Sequence, residues 1–313
     1  MRTLLVDGNN IVIRSMKAVE GRAEMSADGV STGHLVVCIN TLSRYIREVQ
    51  PDRVVVCFDS GRSQRRVAIY PDYKANRKTS EDEIAITEGD HRTTEAQRTK
   101  ADAFGLVTRF LSLAGVHHIH RPGIEADDLI AYYCLNRTPG DEAVILSGDK
   151  DFFQLLDDGV TQHRPGKEQD IWNGARVAEH LGCTPTQLPD VMALTGDSID
   201  GVPGVPGFGA KTAVKFLSRY DWDFEALLTA AVEGKEMKLQ PFVEIARISR
   251  SLVDLRDSDF VDVPLPVLPE FAPTDHTSPL WTELLSYLDQ YKLRSIKDRI
   301  SRGELWRDRP SPS

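Results

Sequence analysis

Three short apolar runs along this 313-residue chain each lead into an aspartate. Thr3-Leu4-Leu5-Val6 precedes Asp7, Val54-Val55-Val56-Cys57-Phe58 precedes Asp59, and Ala143-Val144-Ile145-Leu146-Ser147-Gly148 precedes Asp149. Short runs rich in Val and Ile, apolar on both faces, are the pattern of buried strands. Between them the apolar period lengthens to that of a helix. Leu35, Ile39, Leu42, Ile46 and Val49 form one stripe, Leu106, Phe110 and Leu113 start another, and Leu129, Ile130 and Tyr133 a third. Strands alternating with helices predict an α/β fold with a mostly parallel central sheet and helices on both faces. In such sheets ligands bind beyond the carboxyl ends of the strands, so the three aspartates are expected to share one sheet edge.

From about Pro185 the pattern changes to short helices around a Gly/Pro-rich turn, which places a helical subdomain over 185–300 after an α/β domain over 1–184. Phe242 to Ala246, Ser251 to Val253 and Leu280 to Leu293 read as parts of its helices. Residues 301–313, ending Arg309-Pro310-Ser311-Pro312-Ser313, read as a disordered tail. Residues 78–102 carry little apolar periodicity. A mobile surface insertion and a functional lid or clamp both fit that composition.

Composition narrows the class. The chain is 41% hydrophobic and 27% charged, ordinary for a globular protein. No segment is apolar for long enough to span a bilayer, and the charge at Arg2 and Asp7 argues against a signal peptide. A cytoplasmic protein is expected. Cys38, Cys57, Cys134 and Cys183 lack the Cys-x-x-Cys spacing of a zinc site and read as buried free thiols.

The acidic residues cluster. Glu125-Ala126-Asp127-Asp128 follows Pro122-Gly123, Asp149-Lys150-Asp151 follows the third strand, and Asp197-Ser198-Ile199-Asp200 precedes the glycine-rich turn. Helix capping and turn formation explain any one cluster. Gathering all nine carboxylates at one edge is costly without bound cations. Hard oxygen ligands suit Mg²⁺ or Mn²⁺, and two such ions roughly 4 Å apart can activate water at a phosphodiester. The net charge of −9 argues against a polyanion partner until these nine are set aside, which leaves 47 − 9 = 38 acidic groups against 38 Lys and Arg.

Residues 62–78 hold six basic groups (Arg62, Arg65, Arg66, Lys74, Arg77, Lys78) against Asp72 alone, with Tyr70 and Tyr73 interleaved. Guanidinium and ammonium groups there can neutralise phosphates, although a solvated basic loop is the usual fate of such a run. The turn from Gly201 to Thr212, with Gly204, Gly207, Gly209 and Lys211, lets backbone N–H groups approach a phosphate but does not match a Walker loop. A grip on duplex backbone without sequence preference fits it better.

Six motifs, in this order, resemble those of the flap endonuclease family of 5′ nucleases. They are Leu-Val-Asp-Gly-Asn-Asn (5–10), Phe-Asp (58–59), Tyr-Pro-Asp-Tyr-Lys-Ala-Asn-Arg (70–77), Glu-Ala-Asp-Asp (125–128), Gly-Asp-Lys-Asp (148–151) and Thr-Gly-Asp-Ser-Ile-Asp-Gly-Val-Pro-Gly (195–204). The chain is similar to stand-alone bacteriophage enzymes and to the 5′-to-3′ exonuclease domain of bacterial DNA polymerase I. The resemblance runs from Leu4 to about Leu255. It implies a PIN-like core with a helical arch at about 70–105 and a helix–three-turn–helix at about 190–220. It implies hydrolysis of branched or 5′-ended duplex DNA, in replication and repair, by two Mg²⁺ ions for which Mn²⁺ can substitute. One ion would be held mainly by Asp7, Asp59, Glu125, Asp127 and Asp128, directly or through water. The other would lie nearer Asp149, Asp151, Asp197 and Asp200. Lys74 and Arg14 would meet the scissile phosphate, with Tyr73 near the reacting nucleotides. Main-chain carbonyls such as those of Val202 and Val205 would carry a K⁺ ion.

Residues 79–102, where the arch is expected, hold seven acidic and three basic groups, a departure from strong phosphate contact there. The chain stops without a polymerase domain, so a polymerase would be a separate partner of a monomeric nuclease, in a bacterial cell or phage-infected host. Three other readings stand beside this one. A haloacid-dehalogenase-type phosphatase wants Asp-x-Asp after the first strand, where this chain has Asn9. A non-catalytic binder of DNA branches needs no acidic cluster. A related-fold ribonuclease is separated only by the basic segment and the glycine turn.

Overall fold

The computed structural model describes residues 1–21, 26–27, 30–75, 95–166, 169–257 and 265–306. Six strands form the main sheet in the order β5-β4-β1-β6-β7-β8: β1 (Arg2–Asp7), β4 (Arg53–Phe58), β5 (His117–His120), β6 (Glu142–Leu146), β7 (Val160–Arg164) and β8 (Asp170–Trp172). All neighbours are parallel except β7 and β8. A two-stranded ribbon, β2 (Ser26–Ala27) with β3 (Val30–Ser31), lies outside it.

Period-two alternation separates the two faces of the sheet. Leu4, Val6, Val54, Val56, Val144 and Leu146 join one core with α1 (Gly8–Val19), α2 (Gly33–Val49) and the buried half of α4 (Glu95–Leu113). Leu5, Val55, Cys57, Ala143 and Ile145 join the other with α5 (Ala126–Leu135). The stripe predicted for α2 is buried from Leu35 to Val49, as are Leu106, Phe110 and Leu113 of α4. Each such side chain contributes roughly 1.5–3 kcal/mol by leaving water. The short helix α3 (Gln64–Ile69) follows β4.

After β5 the chain crosses to the far side of β1 to form β6, so the strand order reverses at β1. The crevice at the carboxyl ends of such a reversal is where open α/β sheets bind ligands. Helices α6 (Gly174–Leu181), α7 (Leu188–Thr195), α8 (Ala210–Ser218), α9 (Phe224–Val232) and α10 (Val243–Val253) extend the second core.

The C-terminal part departs from expectation. Helices α11 (Trp281–Gln290) and α12 (Arg294–Ser301) do not complete the helical subdomain. Their apolar residues Leu284, Tyr287, Leu288, Leu293, Ile296 and Ile300 return to the first core, over α2 and α4. The connection is pinned beneath the sheet by Phe271 N–H to the Asp52 carbonyl (2.8 Å) and Thr274 N–H to that of Ala114 (3.0 Å). The presumed tail is ordered through residue 306: Leu305 is buried and Trp306 packs on Phe110 and Phe271. Residues 307–313 lie outside the described residues. Among those described, no helix is long and apolar enough to cross a membrane. The four cysteines are buried free thiols.

Candidate metal centre

Asp7 ends β1 and caps α1, accepting from Asn10 N–H at 2.9 Å and, on its other oxygen, from Ser147 Oγ at 2.7 Å. Asp59 follows β4 and accepts from Asn9 Nδ2 at 2.9 Å and from Ala126 N–H at 2.7 Å. Asn9 in turn accepts from Asp59 N–H at 3.0 Å, so the two residues clasp each other. Ser147 also accepts from Asp149 N–H at 3.0 Å, and Asp149 from Asp151 N–H at 3.0 Å. Gln162 of β7 donates to the carbonyls of Ser147 (2.9 Å) and Asp149 (2.5 Å), fixing that loop. Asn10, Ser147 and Gln162 were not singled out from sequence, and Asn9 only as the residue that breaks an Asp-x-Asp pattern. Asn9 and Asn10 do lie within the first motif, where their adjacency to Asp7 was a usable signal.

The glycine-rich segment folds back on this edge. Asp197 and Val202 exchange backbone hydrogen bonds at 2.9 and 2.7 Å. The side chain of Asp197 accepts from Ile199 N–H (2.7 Å) and Asp200 N–H (3.2 Å). Gly201 has φ +70°, and an added Cβ would sit 2.8 Å from the Asp72 carbonyl. The same contact lets Lys74 N–H donate to the Asp200 carbonyl at 2.8 Å. Asp127, Asp151, Asp197 and Asp200 line a cavity of about 20 Å³ together with Arg66 and Tyr73. That volume admits one water-sized occupant.

Lys74 is 4% exposed, its Nζ 2.7 Å from Glu125 Oε1 and 3.8 Å from Asp200. Burial opposes its charge, but Glu125, Tyr73, Asp200 and Asp127 together overcome this and hold the ammonium above its ordinary range. Glu125 is held below its usual range because Lys74 and Arg66 overcome the cost of burial. Tyr73 donates to Glu125 Oε2 at 3.0 Å. At Asp7, Asp127 and Asp151 the balance reverses. Burial, then the fields of Asp59 and Asp149 push Asp7 up to about 7. Asp127 rises through burial, Asp149 and Asp7, and Asp151 through burial, Asp149, Asp200 and Asp197.

Several candidate residues sit differently from the expectation. Asp128 is fully buried, and both of its oxygens accept from Arg66 at 2.7 and 2.9 Å. It is therefore placed as an ion-pair partner rather than as a free ligand. Arg66, expected among the DNA contacts, is 2% exposed and faces inward. Arg65 is tied to Asp257 and to the Ser251 carbonyl. Gly204 is buried, and its N–H goes to Ser249 Oγ at 3.1 Å, so it does not face a ligand. The Val202 and Val205 carbonyls each accept a backbone hydrogen bond, from Asp197 and Phe208. Each keeps a second lone pair. Gly207, Gly209 and Lys211 are exposed at the start of α8, with Thr212 and Arg62 half-buried. Arg14 is exposed on α1 and reaches the Pro165 carbonyl at 2.6 Å, beside the carboxyl edge. Arg77, Lys78 and most of the expected arch lie outside the described residues.

The donor set suits a hard divalent cation. The carboxylates converge from β1, β4, β6, α5 and the 197–200 turn, and burial and then like charge raise several of them, the second of which a bound cation would reverse. Among the described residues no three such side chains already form a closed cage, so their rotamers would have to adjust around an ion.

Comparison with known proteins gives consistent findings. Residues 2–182 match the family model of the 5′-3′ exonuclease N-terminal resolvase-like domain, and 183–275 that of the 5′-3′ exonuclease C-terminal SAM fold. A 5′-3′ exonuclease of Aquifex aeolicus is 32% identical over 222 residues, 70% of each chain. DNA polymerase I of Rhizobium leguminosarum is 33% identical over 273 residues, 83% of this chain but 25% of the relative. The chain thus spans only about a quarter of that polymerase. Among solved structures, a bacteriophage T5 flap endonuclease in a pseudo-enzyme-product complex with DNA and metal ions has a TM-score of 0.64 at 19% identity, covering 97% of this chain and 98% of the other. The catalytic core of Rad2 in complex with DNA substrate gives 0.56 at 17%, covering 97% and 92%. These two likenesses concern the fold.

Proposed function

Since the chain belongs to the 5′-3′ exonuclease family, we propose that it is a structure-specific 5′ nuclease that hydrolyses DNA phosphodiester bonds at duplex ends and branches. One observation carries the reading: carboxylates from five separate segments come within each other's fields at the strand reversal, those of three segments lining a small cavity, with a buried lysine beside them. Asp7, Asp59, Glu125 and Asp127 would hold one Mg²⁺ or Mn²⁺, and Asp149, Asp151, Asp197 and Asp200 a second, with Asp128 supporting through Arg66. When bound, such a pair supplies an activated water and charge stabilisation at phosphorus.

The remaining work falls to the chain itself. Lys74 offers an ammonium to the phosphoryl oxygens as charge develops on them. Arg14 sits on the same edge to orient the phosphate. Gly207, Gly209, Lys211 and the start of α8 present N–H groups and positive charge to duplex backbone, and main-chain carbonyls such as those of Val202 and Val205 would carry a K⁺ ion. The products would be a 5′-phosphate and a 3′-hydroxyl. The partner is branched or 5′-ended DNA. The test uses end-labelled flap, nicked and single-stranded substrates with Mg²⁺ or EDTA. Metal-dependent cleavage near the branch is expected. Full activity in EDTA, or a covalent protein–DNA intermediate, refutes the reading.

A further inference from the structure

Arg66 is among the largest fully buried side chains among the described residues, on a helix that sequence places in a DNA-contacting segment. Four of its five N–H donors are engaged. Nη1 meets Glu125 Oε2 at 2.8 Å and Asp128 Oδ2 at 2.9 Å, Nη2 meets Asp128 Oδ1 at 2.7 Å, and Nε meets the Leu252 carbonyl at 2.8 Å. Three elements thus converge on one guanidinium: α3, which carries it, the start of α5, and the end of α10. The Leu252 carbonyl belongs to the last turn of α10, whose carbonyls lack intrahelical partners, so Arg66 satisfies an otherwise orphaned acceptor. Ser249, one turn earlier on α10, holds Gly204 N–H. The helix therefore touches both the glycine turn and the arginine that grips Glu125.

We propose that Arg66 is a positioning residue of the metal centre, setting Glu125 and the first turn of α5 against the end of α10. This rests on the reading of that centre given above. A glutamate has three side-chain torsions, and its two oxygens are here held apart by different cations, Oε1 by Lys74 and Oε2 by Arg66. Asp128 plays a charge role. With it, the group Arg66, Lys74, Glu125 and Asp128 is formally neutral. Without it the group carries net positive charge beside the site where a cation must enter. Asp128 thereby lets a buried arginine orient a metal ligand without repelling the metal. The bidentate fork is specific to arginine, since a lysine offers only a point charge.

The test separates positioning from packing. Removing Arg66 alone leaves buried carboxylates unpaired and threatens folding, whereas replacing a buried ion pair by apolar side chains is often tolerated. The main variant is therefore the double change Arg66→Met with Asp128→Leu, checked for folding by circular dichroism. Its Mn²⁺ affinity is measured without DNA, by electron paramagnetic resonance of free Mn²⁺. A 10- to 100-fold weaker affinity is expected, the usual effect of losing an outer partner of a ligand. Duplex affinity in EDTA should change less than about threefold, because Arg66 does not reach the surface. A folded double variant with wild-type Mn²⁺ affinity overturns the assignment and leaves the centre standing. Wild-type protein that binds no Mn²⁺ overturns both. If the double variant fails to fold, Arg66→Lys decides. Weaker Mn²⁺ binding at a melting temperature within a few degrees of wild type supports the proposal, and unchanged binding refutes it.

Discussion

Replacing Lys74 by alanine tests the chemistry most directly. The ammonium is 4% exposed and 2.7 Å from Glu125, so the change has two separable consequences. It removes a positive charge from the reacting edge, worth a few kcal/mol in the transition state, so single-turnover cleavage should slow by roughly 10², or about 2.7 kcal/mol. It also leaves Glu125 with Arg66 and Tyr73 as its remaining partners, and breaking a buried pair costs about 3–5 kcal/mol of stability at the upper end. The backbone supplies a control for that loss. Lys74 has φ +54°, a region that costs a non-glycine residue roughly 1–2 kcal/mol. Lys74→Gly deletes the same ammonium while relieving that strain, so it should melt higher than Lys74→Ala and cleave as slowly. The assay is single-turnover cleavage at saturating protein, with equilibrium binding across a salt series and thermal melting of both variants. Duplex affinity should fall far less than the rate. If saturating protein restores the wild-type rate, Lys74 is a phosphate anchor and the catalytic role fails. If the rate instead tracks the melting temperature across the two variants, the loss is structural and the reasoning fails again.

Asp197→Asn and Asp200→Asn should cripple cleavage but spare binding of branched DNA, since the start of α8 is untouched; wild-type cleavage by either in low Mg²⁺ would remove that residue from the centre. In EDTA the protein should lose stability as pH rises from about 4 to 7. Asp7 is raised in the fold to about 7, so the folded state holds its proton over a window where the unfolded chain has released it. Denaturant melts at pH 5 and 8, with and without Mg²⁺, check this, and the stabilisation by Mg²⁺ should be larger at pH 8. Gly204→Ala should destabilise by several kcal/mol, because φ is +59° and the new Cβ would lie 2.4 Å from Gly196 N; a melting temperature within 2 °C of wild type would contradict that packing. Tyr287→Phe should cost about 1 kcal/mol by losing the 2.7 Å hydrogen bond to the Leu106 carbonyl, read as a lower denaturant midpoint at unchanged slope.

What could be read from sequence, and what could not, divides along the range of the interactions involved. Strand-end aspartates are local signals: an apolar run buried on both sides must end where its first charge appears, which fixes Asp7, Asp59 and Asp149 to one edge. Arg66 and Gly204 were misplaced for the opposite reason. Arg66 lies within a run of basic residues, and composition cannot tell which member turns inward; that depends on Asp128, 62 positions later, and on Leu252, 186 positions later. Gly204 reads as a flexible phosphate-binding turn, yet its freedom is spent on backbone contact with Gly196. The C-terminal helices followed the same logic. Their stripes were legible, but the sequence names no partner for a stripe, and the uncovered faces of α2 and α4 lie more than 170 residues earlier. The consequence reaches function. Tyr287 and Leu284 rest on α4, which returns from the expected arch. The segment that no motif marks thus packs on that helix from the side away from the carboxylates, and substitutions there should act on cleavage through α4 rather than through the carboxylates.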